Sequence, residues 1–305
     1  MADDANPQNE TDKRPAQEGL RRRRPRKGMS LLPGLFTTAN LALGYYAISQ
    51  VMQGSAEAPV HFDQAAKAIG VAVLCDGLDG RIARMTNTTS EFGKQLDSLA
   101  DSITFGVAPA ILAWNWGFRE LPLALQADFR ARLIQLGAIA TFLFLTAGVA
   151  RLARFNIQIN PQPSNPGPPG KKYFVGMPIP AGAGVIASIV HLLGGTPMGD
   201  WWLSALWLAL IVSLGFLMAS TWRFYSFKDI NLRQQRPFRV IILIGGLIAS
   251  LWYFSGYVLF LMAIAYMFSG VLWRLFFLVR KPGSPPAGPP TATNLPEGLP
   301  ASSGQ

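Results

Sequence analysis

Four aspartates hold the chemical interest of this chain. They lie in Asp76-Gly-Leu-Asp79-Gly80-Arg81-Ile-Ala83-Arg84 and, nine residues on, in Gly93-x-x-x-Asp97-x-x-x-Asp101. Asp76 and Asp79 are three apart, Asp97 and Asp101 four apart, so on helices each pair forms one stripe. An antiparallel hairpin would set Asp79 against Asp97 and Asp76 against Asp101, two to three turns below a helix end. Ionised carboxylates so close repel one another and must be protonated, paired with Arg81 and Arg84, or bound to cations. An oxygen-only donor set suits magnesium or manganese, with calcium also satisfied, rather than zinc. Two such ions would match a diphosphate. The bland alternative is a set of helix-end carboxylates paired with nearby arginines. Four acids at helical spacing with interleaved glycines argue against it.

The elements that must present these acids are membrane helices. Half of the 305 residues are apolar and only 14% are charged, far too little charge for the surface of a soluble domain of this size. The net charge of +10 gathers at the ends of apolar runs, as membrane topology requires, and forms no nucleic-acid-binding face. One cysteine, Cys75, excludes an internal disulfide and reads as a small buried hydrophobe.

Spans are expected at 29–56, 64–84, 95–116, 133–151, 177–193 and 201–222. The uncharged run 240–273 would be about 51 Å long as one helix, so it reads as two helices turning at Ser255-Gly256-Tyr257. The expected fold is therefore an all-α bundle of about eight transmembrane helices. Basic residues at Arg84 and Lys94, at Arg151, Arg154, Lys171 and Lys172, and from Arg223 to Arg239 put both termini in the cytoplasm. The loop with Arg119, Arg130 and Arg132 breaks that pattern, offset by Glu120 and Asp128. Residues 1–28 form a basic tail unable to bury a core, 29–281 the membrane domain, and 282–305 a Pro/Gly/Ser-rich tail. The apolar segment after the arginines is long enough to span and lacks a clean cleavage site, so it reads as a helix rather than a leader. Thr88 and Glu91 could cap the second aspartate helix. Trp114, Trp116, Trp201 and Trp202 fall where an interfacial belt would explain them, and His191 is given no role.

The aspartate pattern D-x-x-D-G-x-x-A-R-x8-G-x-x-x-D-x-x-x-D resembles the signature of the CDP-alcohol phosphatidyltransferase family. Asp76, Asp79, Gly80, Ala83, Arg84, Gly93, Asp97 and Asp101 match it throughout. Three further stretches resemble the serine-using branch of that family: Pro33-Gly-Leu-Phe-Thr37-Thr-Ala-Asn40, with Gly34 where Asn is usual; Arg151-Leu-Ala-Arg154-Phe-Asn156; and Gly176-Met-Pro178-Ile-Pro180. The resemblance implies that Asp76, Asp79, Asp97 and Asp101 bind two divalent cations and that Asp101 is also the general base. It implies that Thr37, Asn40, Gly80, Ala83, Arg84 and Gly93 line the CDP site. CDP-diacylglycerol and L-serine would be the substrates, with Arg151 and Arg154 holding the serine carboxylate. It further implies a homodimer, and the lack of a targeting segment suits a bacterial plasma membrane with the site facing the cytoplasm. Other acceptors within the family (glycerol 3-phosphate, an inositol phosphate, choline) remain open. An ion transporter with intramembrane carboxylates is the rival from another class, weakened because all four acids lie toward one side and no internal repeat is visible.

Overall fold

In the computed structural model, residues 31–86, 91–122, 125–157, 173–225 and 237–279 are described, with the side chains of 78–86 among those left aside. Residues 1–30 and 280–305, which hold both expected tails in full, and Thr88, Lys171 and Lys172 lie outside them. The order is α1 (Leu31–Gln53), α2 (Val60–Thr86), α3 (Glu91–Asp101), α4 (Ala108–Trp114), α5 (Ala127–Asn156), β1 (Tyr173–Val175), α6 (Ile179–Leu192), α7 (Trp201–Ala219), β2 (Arg223–Tyr225) and α8 (Pro237–Val279). Among the described residues four stretches are long and apolar enough to cross a membrane: Glu91–Arg119, Ala127–Asn156, Trp201–Ala219 and Gly245–Phe276. The protein is a helical membrane protein. Helix α6 has only 14 residues, about 21 Å, short of the hydrocarbon thickness. Helix α2 carries too many charges for an apolar span, and α1, though uncharged, is diluted by Thr, Asn, Tyr and Gln.

Helix α1 shows how sequence becomes packing. Thr37, Asn40, Gly44, Ala47 and Val51 are its buried residues. Their alternating spacing of three and four makes one stripe. Helix α1 packs along α2, and Ala47 and Val51 share one buried core with Ala65, Ala68, Ile69 and Ala72 of that helix. The polar end of the stripe faces the aspartates. Helix α5 buries Leu133, Gly137, Ala140, Phe144 and Gly148 in the same manner, and Arg151 continues that stripe toward the bundle.

The helix carrying Asp97 and Asp101 runs on through two π-helical segments, Ser102–Val107 and Asn115–Arg119, on either side of α4. Pro109 explains the first. It has no N–H, and its ring would strike the carbonyl of Phe105 in a regular α-helix; a wider turn relieves that clash. At the second, α7 satisfies the carbonyls: Trp207 Nε1 donates to Ala113 O at 3.0 Å and Ser204 Oγ to Gly117 O at 2.9 Å. Trp116 is fully buried, donates to Gly195 O at 3.1 Å and meets Trp207 edge-on at 5.0 Å. It is a core residue and not part of an interfacial belt, whereas Trp201 and Trp202 are half exposed, as a belt requires.

The run 240–273 forms two helical stretches that meet at a kink at Phe254, directly before the expected turn at Ser255-Gly256-Tyr257. Two expectations need correction. The purely helical picture missed a two-strand antiparallel ribbon pairing Tyr173 with Tyr225 and Val175 with Arg223. Arg223, read as solvated charge, is only 4% exposed, with its guanidinium 4.6 Å above the Trp273 ring. Three residues per strand are too few to show a period of two. The loop that broke the charge pattern uses its charges locally. Arg119 Nη1 donates to Asn115 Oδ1, Arg130 Nε to Leu121 O, and Glu120 Oε2 accepts from the backbone N–H of Ala56.

Candidate metal and nucleotide site

Helix α3 begins at Glu91, whose carboxylate is paired with Lys94 at 2.7 Å, three residues on. From there Gly93, Asp97 and Asp101 follow at intervals of four toward α1. Asp76 arrives from α2, well over half-way along that helix. The carboxylate oxygens of Asp76, Asp97 and Asp101 come within 4.8 Å of one another. Asp101 is buried, while Asp76 and Asp97 are partly exposed, so the cluster is closed on the Asp101 side and open on the other. The expected meeting of Asp76 with Asp101 is present. Asp79, Gly80, Ala83 and Arg84 continue α2, but their side chains, and with them the Asp79–Asp97 pairing, lie outside the described ones.

Helix α1 closes the buried side. Asn40 Nδ2 donates to Asp101 Oδ1 at 3.0 Å, and both residues are buried. Thr104, one turn beyond Asp101, donates through Oγ1 to Asn40 O at 3.0 Å. Gly44 permits this crossing, since a Cβ there would lie 2.4 Å from Thr104 Oγ1. Thr37 is buried one turn before Asn40. On the far side Asn156 Nδ2 donates to Ser98 Oγ at 2.8 Å, tying the end of α5 to the residue after Asp97.

The donor set fits a hard divalent cation. Oxygen ligands lie about 2.0–2.6 Å from magnesium or calcium, which puts opposite ligands about 4–5 Å apart, the spread seen among the three aspartates. Chain-wide comparison decides the family. The profile of CDP-alcohol phosphatidyltransferases matches residues 30–219.

The chain belongs to the CDP-alcohol phosphatidyltransferase family.

Curated proteins similar to it include the CDP-diacylglycerol–serine O-phosphatidyltransferase of Helicobacter pylori, 32% identical over 269 residues, 84% of this chain and 96% of that protein. The protein of the same name in Saccharomyces cerevisiae is 33% identical over 156 residues, 51% of each. That of Methanocaldococcus jannaschii is 34% identical over 161 residues, 53% of this chain and 63% of that protein. As a CDP-alcohol phosphatidyltransferase, the chain is a membrane-bound transferase of phospholipid biosynthesis.

Of the two arginines expected to meet the acceptor in this phosphatidyltransferase, Arg151 donates through Nη2 to Gly176 O at 3.3 Å, and its buried Nε has no partner among the described residues. Arg154 is partly exposed at the end of α5. Gly176 is itself required. Its φ is +75°, and a Cβ would lie 2.7 Å from Met218 O and 2.8 Å from Ser220 O. The Gly176-Met-Pro178-Ile-Pro180 segment is thus a left-handed turn into α6, with Pro180 in the first turn of the helix.

Sequence reasoning missed the Asn40–Asp101 bond, the Thr104–Gly44 crossing and the Asn156–Ser98 tie. For the first, the signal was available: Thr37, Asn40 and Gly44 share the stripe spacing of α1.

Proposed function

We propose that the chain transfers a phosphatidyl group from CDP-diacylglycerol to L-serine, giving phosphatidylserine and CMP. The observation that carries this is the convergence of Asp76, Asp97 and Asp101 within 4.8 Å in a chain of this family. The names of its curated relatives favour serine as acceptor.

Asp76, Asp79, Asp97 and Asp101 would hold two divalent cations, magnesium or manganese. When bound, the cations neutralise the diphosphate and the phosphate that leaves. The chain's own part lies in placing the acceptor and moving its proton. Asp101 takes the proton of the serine hydroxyl as the bond from that oxygen to the β-phosphorus forms. The bond from the β-phosphorus to the bridging oxygen breaks, and CMP departs with that oxygen. A base in this role must be ionised and within hydrogen-bond reach of the alcohol. Thr37, Asn40, Gly80, Ala83, Arg84 and Gly93 would surround the CDP moiety. Arg151 and Arg154 would take the serine carboxylate, and the unused Nε donor of Arg151 supports that role.

The same reading places 29–281 in the plasma membrane of a bacterium as eight spans. Both termini and the site face the cytoplasm, residues 1–28 and 282–305 are tails, and the protein is a homodimer. Acyl chains then stay in lipid while serine and CMP exchange with water.

The test is CMP release from CDP-diacylglycerol by the purified, detergent-solubilised chain with magnesium or manganese. Serine is compared with glycerol 3-phosphate, inositol phosphate and choline, and wild type with Asp101→Asn. Release that needs serine and is lost in the variant supports the proposal. Release with another acceptor alone keeps the family chemistry and overturns serine. No metal-dependent release with any acceptor overturns the catalytic reading.

A further inference from the structure

We propose that the chain carries a second active site, formed by Ser255, His191 and Asp63, that hydrolyses carboxylic esters of membrane lipids. It is separate from the aspartate cluster: Asp63 and Asp76 lie about 20 Å apart along α2. The proposal does not depend on the transfer reaction.

Three helices bring the groups together. Nδ1 of His191, on α6, lies against Oδ1 of Asp63, on α2, and Nε2 lies 2.8 Å from Oγ of Ser255, on α8. An ionised carboxylate only accepts, so Nδ1 carries the proton, and in the neutral ring Nε2 accepts from the hydroxyl. Serine, histidine and aspartate thus stand in the order of nucleophile, base and orienter, each within hydrogen-bond reach of the next. Lys67 Nζ holds the other oxygen of Asp63, Oδ2, at 2.7 Å, so the orienting carboxylate is anchored on both sides. The side chains of His191 and Asp63 are 12% and 14% exposed, and Ser255 is half-buried. The hydroxyl is neither sealed in the core nor loose on the surface.

The backbone adds a second feature. Phe254, directly before the serine, leaves helical geometry at φ −134° and ψ 38°. A helix that restarts after a break has first-turn N–H groups without intrahelical acceptors, and donors beside a nucleophile are what stabilises the oxyanion of acyl transfer. A joint kept only to hold helices together would ask neither for this order of atoms nor for a hydroxyl at a break in its helix.

The surroundings indicate the substrate. Trp252, Tyr253, Phe254 and Tyr257 flank Ser255 and are 62–83% exposed. Aromatic side chains of this kind favour the boundary between lipid and water, where the ester carbonyls of glycerophospholipids lie. In the reaction Ser255 Oγ bonds to the ester carbonyl carbon as its proton passes to His191 Nε2. The bond from that carbon to the alcohol oxygen breaks, and the alcohol leaves with the proton. Water then attacks the acyl carbon and gives a proton to Nε2; the bond to Oγ breaks, the fatty acid departs, and the proton returns to Oγ.

The experiment treats the full chain in detergent with a tagged fluorophosphonate, which bonds to activated serines, and maps the tag by mass spectrometry. Fatty-acid release from phosphatidylglycerol in mixed micelles and hydrolysis of p-nitrophenyl butyrate are followed alongside. The tag is expected on Ser255 in the native chain and not after denaturation. Ser255→Ala and His191→Gln should each lower both hydrolyses on the order of a hundredfold or more, as for loss of a nucleophile or its base. Ser255→Ala removes one hydroxyl and should melt close to wild type, so its loss of rate is separable from unfolding. No tag on Ser255 of the native chain would overturn the proposal, as would ester hydrolysis that persists in Ser255→Ala. Hydrolysis of the butyrate with no fatty acid from the micelles would overturn the lipid as substrate.

Discussion

Gly44→Ala is a one-carbon change, away from every charged group, that should disable the site. The added Cβ would lie 2.4 Å from Thr104 Oγ1 and 2.9 Å from Thr104 Cα, where ordinary contact begins at 3.4 Å. Rotating the threonine would relieve the first clash but break its bond to Asn40 O. The second clash is with backbone, so α1 must move away by at least about 0.5 Å, and by about 1 Å if Thr104 keeps its rotamer. Asn40 lies one turn away on the same stripe. The same movement stretches its 3.0 Å bond to Asp101 to roughly 3.5–4 Å, beyond useful hydrogen-bond length. Overpacking of this kind costs about 1–3 kcal/mol, and loss of a hydrogen bond to a charged group about 1.5–3 kcal/mol. The two overlap, since one displacement causes both. Displacement of a reacting group by about 1 Å predicts a rate loss on the order of a hundredfold. CMP release and thermal melting in one detergent measure both effects. Thr104→Ala in the Gly44→Ala background removes the nearer clash alone and should restore part of each. A Gly44→Ala protein with rate within about twofold of wild type and an unchanged melting temperature would refute the claim that this crossing holds Asp101 in place.

Chelation of divalent cations should abolish CMP release, and magnesium or manganese should restore it; calorimetric titration of magnesium into the chelated protein should show binding that Asp97→Asn weakens. Gly176→Ala should destabilise the protein by more than about 1–2 kcal/mol, because the left-handed backbone and two facing carbonyls both exclude a Cβ, and a melting curve would show it. His191→Phe cuts the contact of its ring with Asp63 and the 2.8 Å contact of Nε2 with Ser255 Oγ. It should lower stability by about 1–3 kcal/mol while leaving kcat nearly unchanged, because Asp63 and Asp76 are about 20 Å apart along α2.

The acids of the site could be read from the sequence because their spacing is a local property. Asp97 and Asp101 four apart share a face on any helix, and Asp76 lies at a depth that matches Asp101. The stripe of α1 is local too. What the sequence hid depends on partners far along the chain. Nothing near His191 announces Asp63, 128 residues away, and nothing near Trp116 announces Gly195, 79 residues away. Arg223 reads as surface charge until the ribbon carries it under Trp273. Pro109 was a visible cue to the first π-helical turn, but its consequence, a wider helix directly after Asp101, is geometric. The break at Phe254 lies one residue before the expected turn, because the glycine at 256 marked the place where the helix could bend. Three of the four long apolar stretches were each identified in advance as a span, and the fourth, Gly245–Phe276, as a pair. The short α6 and the charged α2 show that hydropathy fades where helices are paired with protein rather than lipid.

The contacts of His191 with Asp63 and Ser255 join α2, α6 and α8 at the end of the bundle away from the aspartates. Both ring nitrogens are engaged, Nδ1 with Asp63 and Nε2 with Ser255 Oγ, so one side chain ties three helices together. It pins α8 one residue after its bend at Phe254, and Gly256 beside it sits against the backbone of Leu192. The second half of α8 then runs as a strut from this fixed point to Trp273, above Arg223. The short ribbon near the aspartates is thereby braced from a joint at the opposite end of the bundle.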